Sequence, residues 1–214
     1  MNLPGKRPYR SSLRVAQARA TREAVIRAAG RLFAERGYVA TSIEEIAAAA
    51  GVSRATVFTA VGGKPSLLKA AYEVAIVGDD EPVGLVDRPG SVAVRQEPDP
   101  RRYLELYAAL VAGIQGRLAA IAEAVRGAAG ADADARALWA EQQAQRRRGS
   151  ATVVADVVAK GGALAPPLDA EMAADIVWTL NDPGLYHALV LGRGWSPDRF
   201  QAWLARTLQV QLLG

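Results

Sequence analysis

The sequence predicts an all-α chain, with an N-terminal three-helix head joined to a larger helical body. Three observations carry this. Half of the 214 residues are hydrophobic but only 6% are aromatic, so the core is built from Ala, Leu and Val. These lie in segments studded with Arg and Glu, a mixture that favours helix. Apolar residues recur at three-and-four spacing along most of the chain, without strand-like alternation. Finally, two short amphipathic stretches meet at a glycine in IEEIAAAAGVSRATVFTA, residues 43–60.

The elements follow in order. Residues 1–13 are basic, aperiodic and broken by two prolines, and read as a disordered arm. From Arg14 a helix carries Val25, Ile26, Ala29, Leu32 and Phe33 on one side, and Gly37 ends it. Thr41 and Ser42 each have a Glu three places on (Glu44 and Glu45), so either can open a capping box. The second helix carries Ile43, Ile46, Ala47 and Ala50, and stops at Gly51. Ser53 caps a third short helix to about Ala60, and Lys64 to about Val77 forms a fourth. Residues 78–100, with six acids, four Pro and three Gly, read as a loop and domain boundary. Long helices then run from about Pro100 to Arg126 and from Asp132 to Lys160, the latter interrupted or kinked near Gly149. Asp169, Asp182-Pro183 and Ser196-Pro197 open the last helices. The expected organisation is an arm with the start of the first helix over 1–20, a head over 21–66, and a body over 67–214 containing the 78–100 loop.

Charge is unevenly divided. Residues 1–70 hold 12 Lys/Arg against 4 Asp/Glu, and residues 71–214 hold 14 against 18, so +8 and −4 sum to the net +4. A basic first third suggests that this part meets a polyanion; a tail of solvated arginines is the plainer reading. With no Cys there is neither disulfide nor thiolate site, and His187 alone makes no multi-His metal centre. No cofactor and no metal are expected. The basic N-terminus has no apolar segment after it, and no uninterrupted apolar run reaches spanning length. A cytoplasmic protein without a membrane partner is the expectation.

The paired short helices have the form of a helix-turn-helix, whose second helix enters the major groove of DNA. Ile46, Ala50, Val52 and Val57 close one small core, leaving Arg54, Ala55, Thr56 and Thr59 outward. Arg grips guanine edges, while Ala and Thr methyls suit the thymine methyl. An ordinary helical hairpin with a solvated face is the alternative. GGK at 62–64 is not a P-loop: Phe58 stands where its first Gly is needed and Pro65 where Ser or Thr must follow.

Residues 21–76, through AAGRLFAERGYVATSIEEIAAAAGVSRATVF and GGKPSLLKAAYE, resemble the DNA-binding domain of the tetracycline-repressor (TetR) family of bacterial regulators. The segment ADIVWTLNDPGLYHALVLGRGWSPDRFQAWLARTL resembles, more loosely, the end of many members. The resemblance implies a homodimer formed by the last two helices, a double-stranded DNA operator, and a small-molecule effector of unknown identity. It implies DNA contacts from Thr41 or Ser42, from Ser53, Arg54, Ala55 and Thr56, and from Lys64. Phe58 and Ala60-Val61 depart from the family pattern. Phe58 lacks the hydroxyl that the usual Tyr offers a phosphate, and Ala60 cannot hydrogen-bond a base, which throws base reading onto Arg54, Thr56 and Thr59, with Lys6, Arg7, Arg10 and Arg14 as compensating arm contacts.

For the body, Tyr103, Tyr107, Trp139, Gln143, Trp178 and Asn181 are candidates to line a pocket between helices, with core packing as the alternative for each. Leu185 and Leu189, then Phe200, Leu204 and Leu208, fall on common faces and are the expected dimer interface. Arg146–Arg147–Arg148 reads as a solvated face. The leading expectation is a dimeric, ligand-released repressor. The competitor is an all-helical small-molecule binding protein whose head no longer reads DNA. Catalysis would rest on His187 alone and is not expected.

Overall fold

A computed structural model describes residues 8–214, with side chains from residue 13 onward. Those residues form α1 (Pro8–Arg36), α2 (Ile43–Ala50), α3 (Arg54–Ala60), α4 (Lys64–Val77), α5 (Pro89–Gln96), α6 (Pro100–Ala128), α7 (Ala133–Ala159), α8 (Ala170–Leu180), α9 (Pro183–Tyr186) and α10 (Pro197–Leu213). There is no strand among the described residues. The fold is an N-terminal helix-turn-helix head followed by an all-helical body.

Short polar side chains start most of the helices. Ser42, Ser53, Asp99, Asp132, Asp169, Asp182 and Ser196 each accept a bond from a backbone N–H in the first turn. Each satisfies a donor that the helix itself cannot. The glycines at 37, 51 and 78 sit at φ of 82°, 68° and 100°, in the left-handed region where chains leave a helix.

Two apolar cores are stacked along α6. The first joins Val25, Ile26, Ala29 and Phe33 of α1 to Ile46, Val57, Leu67, Leu68 and Tyr72, and closes on Leu118, Ile121 and Val125 of α6 and Leu138 of α7. The second joins Tyr103, Leu104, Ala108 and Val111 of α6 to Val153, Val154 and Val157 of α7, Val177 of α8 and Phe200, Leu204, Leu208 and Leu212 of α10. Residues from the two halves of α6 thus enter different cores. By length and composition α6 would pass for a membrane span, but half of its most apolar window is buried inside the protein.

Several expectations need correction. The first helix begins at Pro8, so residues 8–13 are not a disordered arm; proline suits a first helical turn because its missing N–H has no partner there anyway. Lys6 and Arg7 lie outside the described residues. The acidic stretch 78–100 is not a plain loop: it holds a 3-10 turn at Leu85–Asp87 and α5. The Arg88 guanidinium forks onto both oxygens of Asp79 at 2.6 and 2.7 Å, and Val94 is buried. These anchors order a segment whose composition looks like a linker. α7 continues without interruption through Gly149. The helix opened by Asp182-Pro183 is a single α-turn that passes into a π-helical turn, His187–Gly192.

Candidate nucleic-acid interface

Burial of Ile46, Ala47 and Val57 fixes the angle between α2 and α3, because these side chains share the first core. Gly51 makes the turn: its N–H donates to Ala48 O at 3.2 Å, and the Val52 N–H to Ala47 O at 3.0 Å. A left-handed φ of 68° at this position strains any residue with a Cβ. Ser42 and Glu45 then cap α2 reciprocally, with Ser42 N–H donating to Glu45 Oε2 at 2.8 Å and Glu45 N–H to Ser42 Oγ at 3.2 Å. The Ser42 backbone N–H, followed by its hydroxyl, holds the Glu45 carboxyl below the usual carboxylate range.

This packing turns one face of α3 to the solvent. Ser53, Arg54, Ala55, Phe58 and Thr59 are exposed, and Thr56 is partly so. The Ser53 hydroxyl accepts from Thr56 N–H at 3.1 Å and lies 2.8 Å from Thr56 Oγ1. Thr59 Oγ1 donates to Ala55 O at 2.9 Å. Arg54 pairs with Glu44 at 2.9 Å, and its guanidinium stands 5.6 Å from the Phe58 ring centre. Glu44 therefore serves Arg54 rather than a cap. Sequence offered both acids as capping partners, and only the placement of the N-cap at Ser42 separates them.

Two expected contacts look different in the fold. Thr41 is 1% exposed, and its hydroxyl bonds to Leu32 O and Gly37 O at 3.3 and 2.8 Å, so it ties down the end of α1 and is not displayed at the surface. Ser42, partly exposed, is the residue left at the surface. Lys64 donates to Val39 O at 3.2 Å and lies 4.5 Å from the centre of the Tyr38 ring; its partners on the protein hold it at the start of α4.

In the body, four of the six pocket candidates come together. Asn181 Nδ2 donates to Tyr107 Oη at 3.1 Å and receives Gln115 Nε2 on its own carbonyl at 3.1 Å. Arg146 donates to Gln143 Oε1 at 3.0 Å, to Asp182 Oδ2 at 2.7 Å and to Trp178 O at 2.7 Å. Tyr107, Gln143, Trp178 and Asn181 thus form one polar cluster with Gln115 and Arg146. Three atoms in it, Gln115 Oε1, Arg146 Nε and Trp178 Nε1, are buried without a partner among the described residues. Tyr103 is not in this cluster: its hydroxyl donates to Asp156 Oδ2 at 2.9 Å. Trp139 packs instead on the head-side core. Arg146 is not a solvated arginine either, since its side chain is only 12% exposed. Gln115 and Arg146 escaped the sequence reading because one looks like any helical Gln and the other is hidden in a run of three arginines.

The expected dimer residues Phe200, Leu204 and Leu208 lie inside the protomer, at most 1% exposed, against α6. Leu185 and Leu189 are partly buried on the same core. A stripe of apolar residues says that a helix packs, but not whether against its own chain or a second copy.

The profile described as bacterial regulatory proteins, tetR family, matches residues 25–71. This span contains the buried core of the head, the α2–turn–α3 unit and the exposed face of α3. Residues 25–71 are thus similar to that family, and the match ends within α4. No curated protein matches the chain. Solved structures of similar fold cover most of the chain. The fatty acid degradation regulator FadR of Bacillus halodurans has a TM-score of 0.71 at 17% identity, over 88% of this chain and 94% of its own. FadR of Bacillus subtilis, solved with stearoyl-CoA, has a TM-score of 0.66 at 16% identity, over 86% and 96%. NalD, the secondary repressor of the MexAB-OprM multidrug efflux pump in Pseudomonas aeruginosa, has a TM-score of 0.63 at 23% identity, over 90% and 95%. The family match covers the head, and the solved structures share the fold of head and body together.

Proposed function

We propose that the protein is a cytoplasmic transcriptional repressor that binds a near-palindromic operator as a homodimer and is released by a small-molecule effector. The observation that carries the DNA-binding reading is the solvent-facing row Ser53, Arg54, Ala55, Thr56 and Thr59 on a helix capped by Ser53 and joined to the capped α2 by the Gly51 turn. Ser42 and Lys64 flank it as backbone contacts. The head extends to about residue 66 and the body follows, with α4 shared by both.

Effector binding is assigned to the polar cluster of Tyr107, Gln115, Gln143, Arg146, Trp178 and Asn181. Buried polar atoms without partners are costly, and a ligand offering oxygen acceptors to Arg146 Nε and Trp178 Nε1 would relieve that cost. Dimerisation is assigned to the outward sides of α8 and α10, which leave Met172 and Val210 46% and 55% exposed.

A second reading, a helical binding protein with a weakened DNA-reading head, draws on the Phe58 substitution and the Glu44–Arg54 pair that neutralises the main base-reading cation. Salt titration of binding to DNA from around the protein's own gene separates the two. A DNA reader gives a linear fall of log affinity with log salt, because each neutralised phosphate releases counterions. No salt-dependent, sequence-selective binding there would overturn the repressor reading and leave the second.

A further inference from the structure

Arg22, on α1, touches two elements distant from it in sequence. Its Nη1 donates to Ala60 O at 3.0 Å, and Nε and Nη2 donate to the two oxygens of Asp80 at 2.7 and 3.4 Å. Ala60 is the last residue of α3, and Asp80 lies just beyond Gly78, the left-handed cap of α4. The α3 helix is seven residues long, too short to hold its own end rigid. Its last carbonyls have no partner within the helix, and a cation at that end suits both the open acceptors and the helix dipole. Asp80 aims that cation; its side chain is 19% exposed, against 38% for Arg22. On the body side, Arg117 of α6 donates to Ala75 O and Ile76 O at 3.1 and 3.0 Å, so the same end of α4 is gripped from α6.

We propose that Arg22, held by Asp80, is a positioning residue that sets the orientation of α3 for sequence-selective binding. This rests on α3 being the DNA-reading helix. Asp80 never touches DNA in this scheme. It acts by fixing Arg22, which in turn fixes the end of the helix, and any movement of the α4 terminus reaches α3 by this route.

The sign of one substitution separates positioning from simple charge. Asp80→Asn removes a negative charge from beside the head, so electrostatics alone would tighten binding to every DNA. Loss of positioning instead weakens binding to the selected operator by about tenfold, the scale of a lost charge-assisted hydrogen bond, while a random duplex is bound no more weakly than before. Arg22→Lys, which keeps the charge but cannot serve both partners, is expected to weaken the operator similarly. The double variant should be no weaker than the worse single one, as for residues acting as a unit. Circular dichroism and melting temperature establish that each variant is folded. Operator binding that is unchanged or tighter in both single variants overturns the proposal.

Amide exchange supplies a readout that needs no DNA. The Val61 and Gly62 N–H groups, which close the end of α3 on Val57 O, should exchange about tenfold faster in both variants. If the wild-type chain binds no DNA selectively, the operator reading has failed, and faster exchange would leave the clamp itself standing. Unchanged exchange in both folded variants removes the clamp.

Discussion

Glu44 holds the Arg54 guanidinium 2.9 Å from its carboxylate, across the turn between α2 and α3. Both side chains are more than half exposed, so the pair adds little to stability. Under the proposed function its effect falls on recognition, because Arg54 would have to leave Glu44 to meet a base. Glu44→Gln should tighten DNA binding about two- to fivefold at low salt and by less at high salt, as screening of exposed charges requires. Filter binding or fluorescence anisotropy across a salt series measures this. Weaker binding in the variant would show that Glu44 orients Arg54 instead of competing for it.

Arg54→Ala tests the reading helix directly. Losing a bidentate guanine contact costs about 1–3 kcal/mol and relaxes preference at one base pair. Selection from a randomised duplex pool reports both. An unchanged preferred sequence would mean that Arg54 is not the base reader.

The cap on α2 makes a stability prediction. Ser42→Ala should cost about 1 kcal/mol, since it leaves a first-turn donor open. Glu45 carries the pH dependence of the same cap. Its folded-state pKa lies below its ordinary value because Ser42 donates to the carboxylate, so the stabilisation is present above the ordinary carboxylate pKa and is lost as pH falls through the depressed one. Asp79 behaves alike and further: hydrogen bonds from Arg88 depress it to about 2. Urea midpoints measured from about pH 6 down to about pH 2 should fall less steeply in Asp79→Asn than in the wild type over the acid range where free carboxylates titrate.

The polar cluster in the body predicts a split between stability and effector response. Trp178→Phe removes the unpartnered indole N–H together with one of the two fused rings that face the Arg146 guanidinium at 5.3 Å. The melting temperature without effector should fall only modestly, as for a smaller side chain at a packed site, and release from DNA by effector should need about tenfold more compound. Unaltered effector response would place the effector elsewhere.

The interior position of Leu208 reverses the consequence expected of an interface residue. Leu208→Ala should destabilise the protomer by about 2–5 kcal/mol, through lost burial and the cavity left behind. Val210→Glu, on the exposed side of the same helix, should instead yield folded chains that sediment as monomers. A folded dimer from Val210→Glu would exclude that side of α10 as the contact.

Much of the head was legible because its signals are local. Gly51 stops one helix, Ser53 starts the next, and Val57 must turn inward whatever else the chain does. Long-range choices were not. Thr41 and Ser42 are equally good caps by type, and only the packing of α1 against the turn buries Thr41. Phe200, Leu204 and Leu208 were correctly read as one face, but the sequence contains no mark of whose helix that face meets. Arg146 looked like its neighbours at 147 and 148 because nothing within a few residues reveals that Asp182 and the Trp178 carbonyl wait for it across the bundle. The first helix reaches further than its pattern predicts because a proline reads as a breaker, although Pro8 occupies a first turn.

The passage of α6 through both apolar cores limits how this protein can be cut and recombined. A head excised after α4 would leave Leu67, Leu68 and Tyr72 without Leu118, Ile121 and Val125 beside them. A graft of this head onto another regulator's body would meet the same gap, unless the second half of α6 travelled with it. Head and body here share a beam, and neither is a detachable cassette.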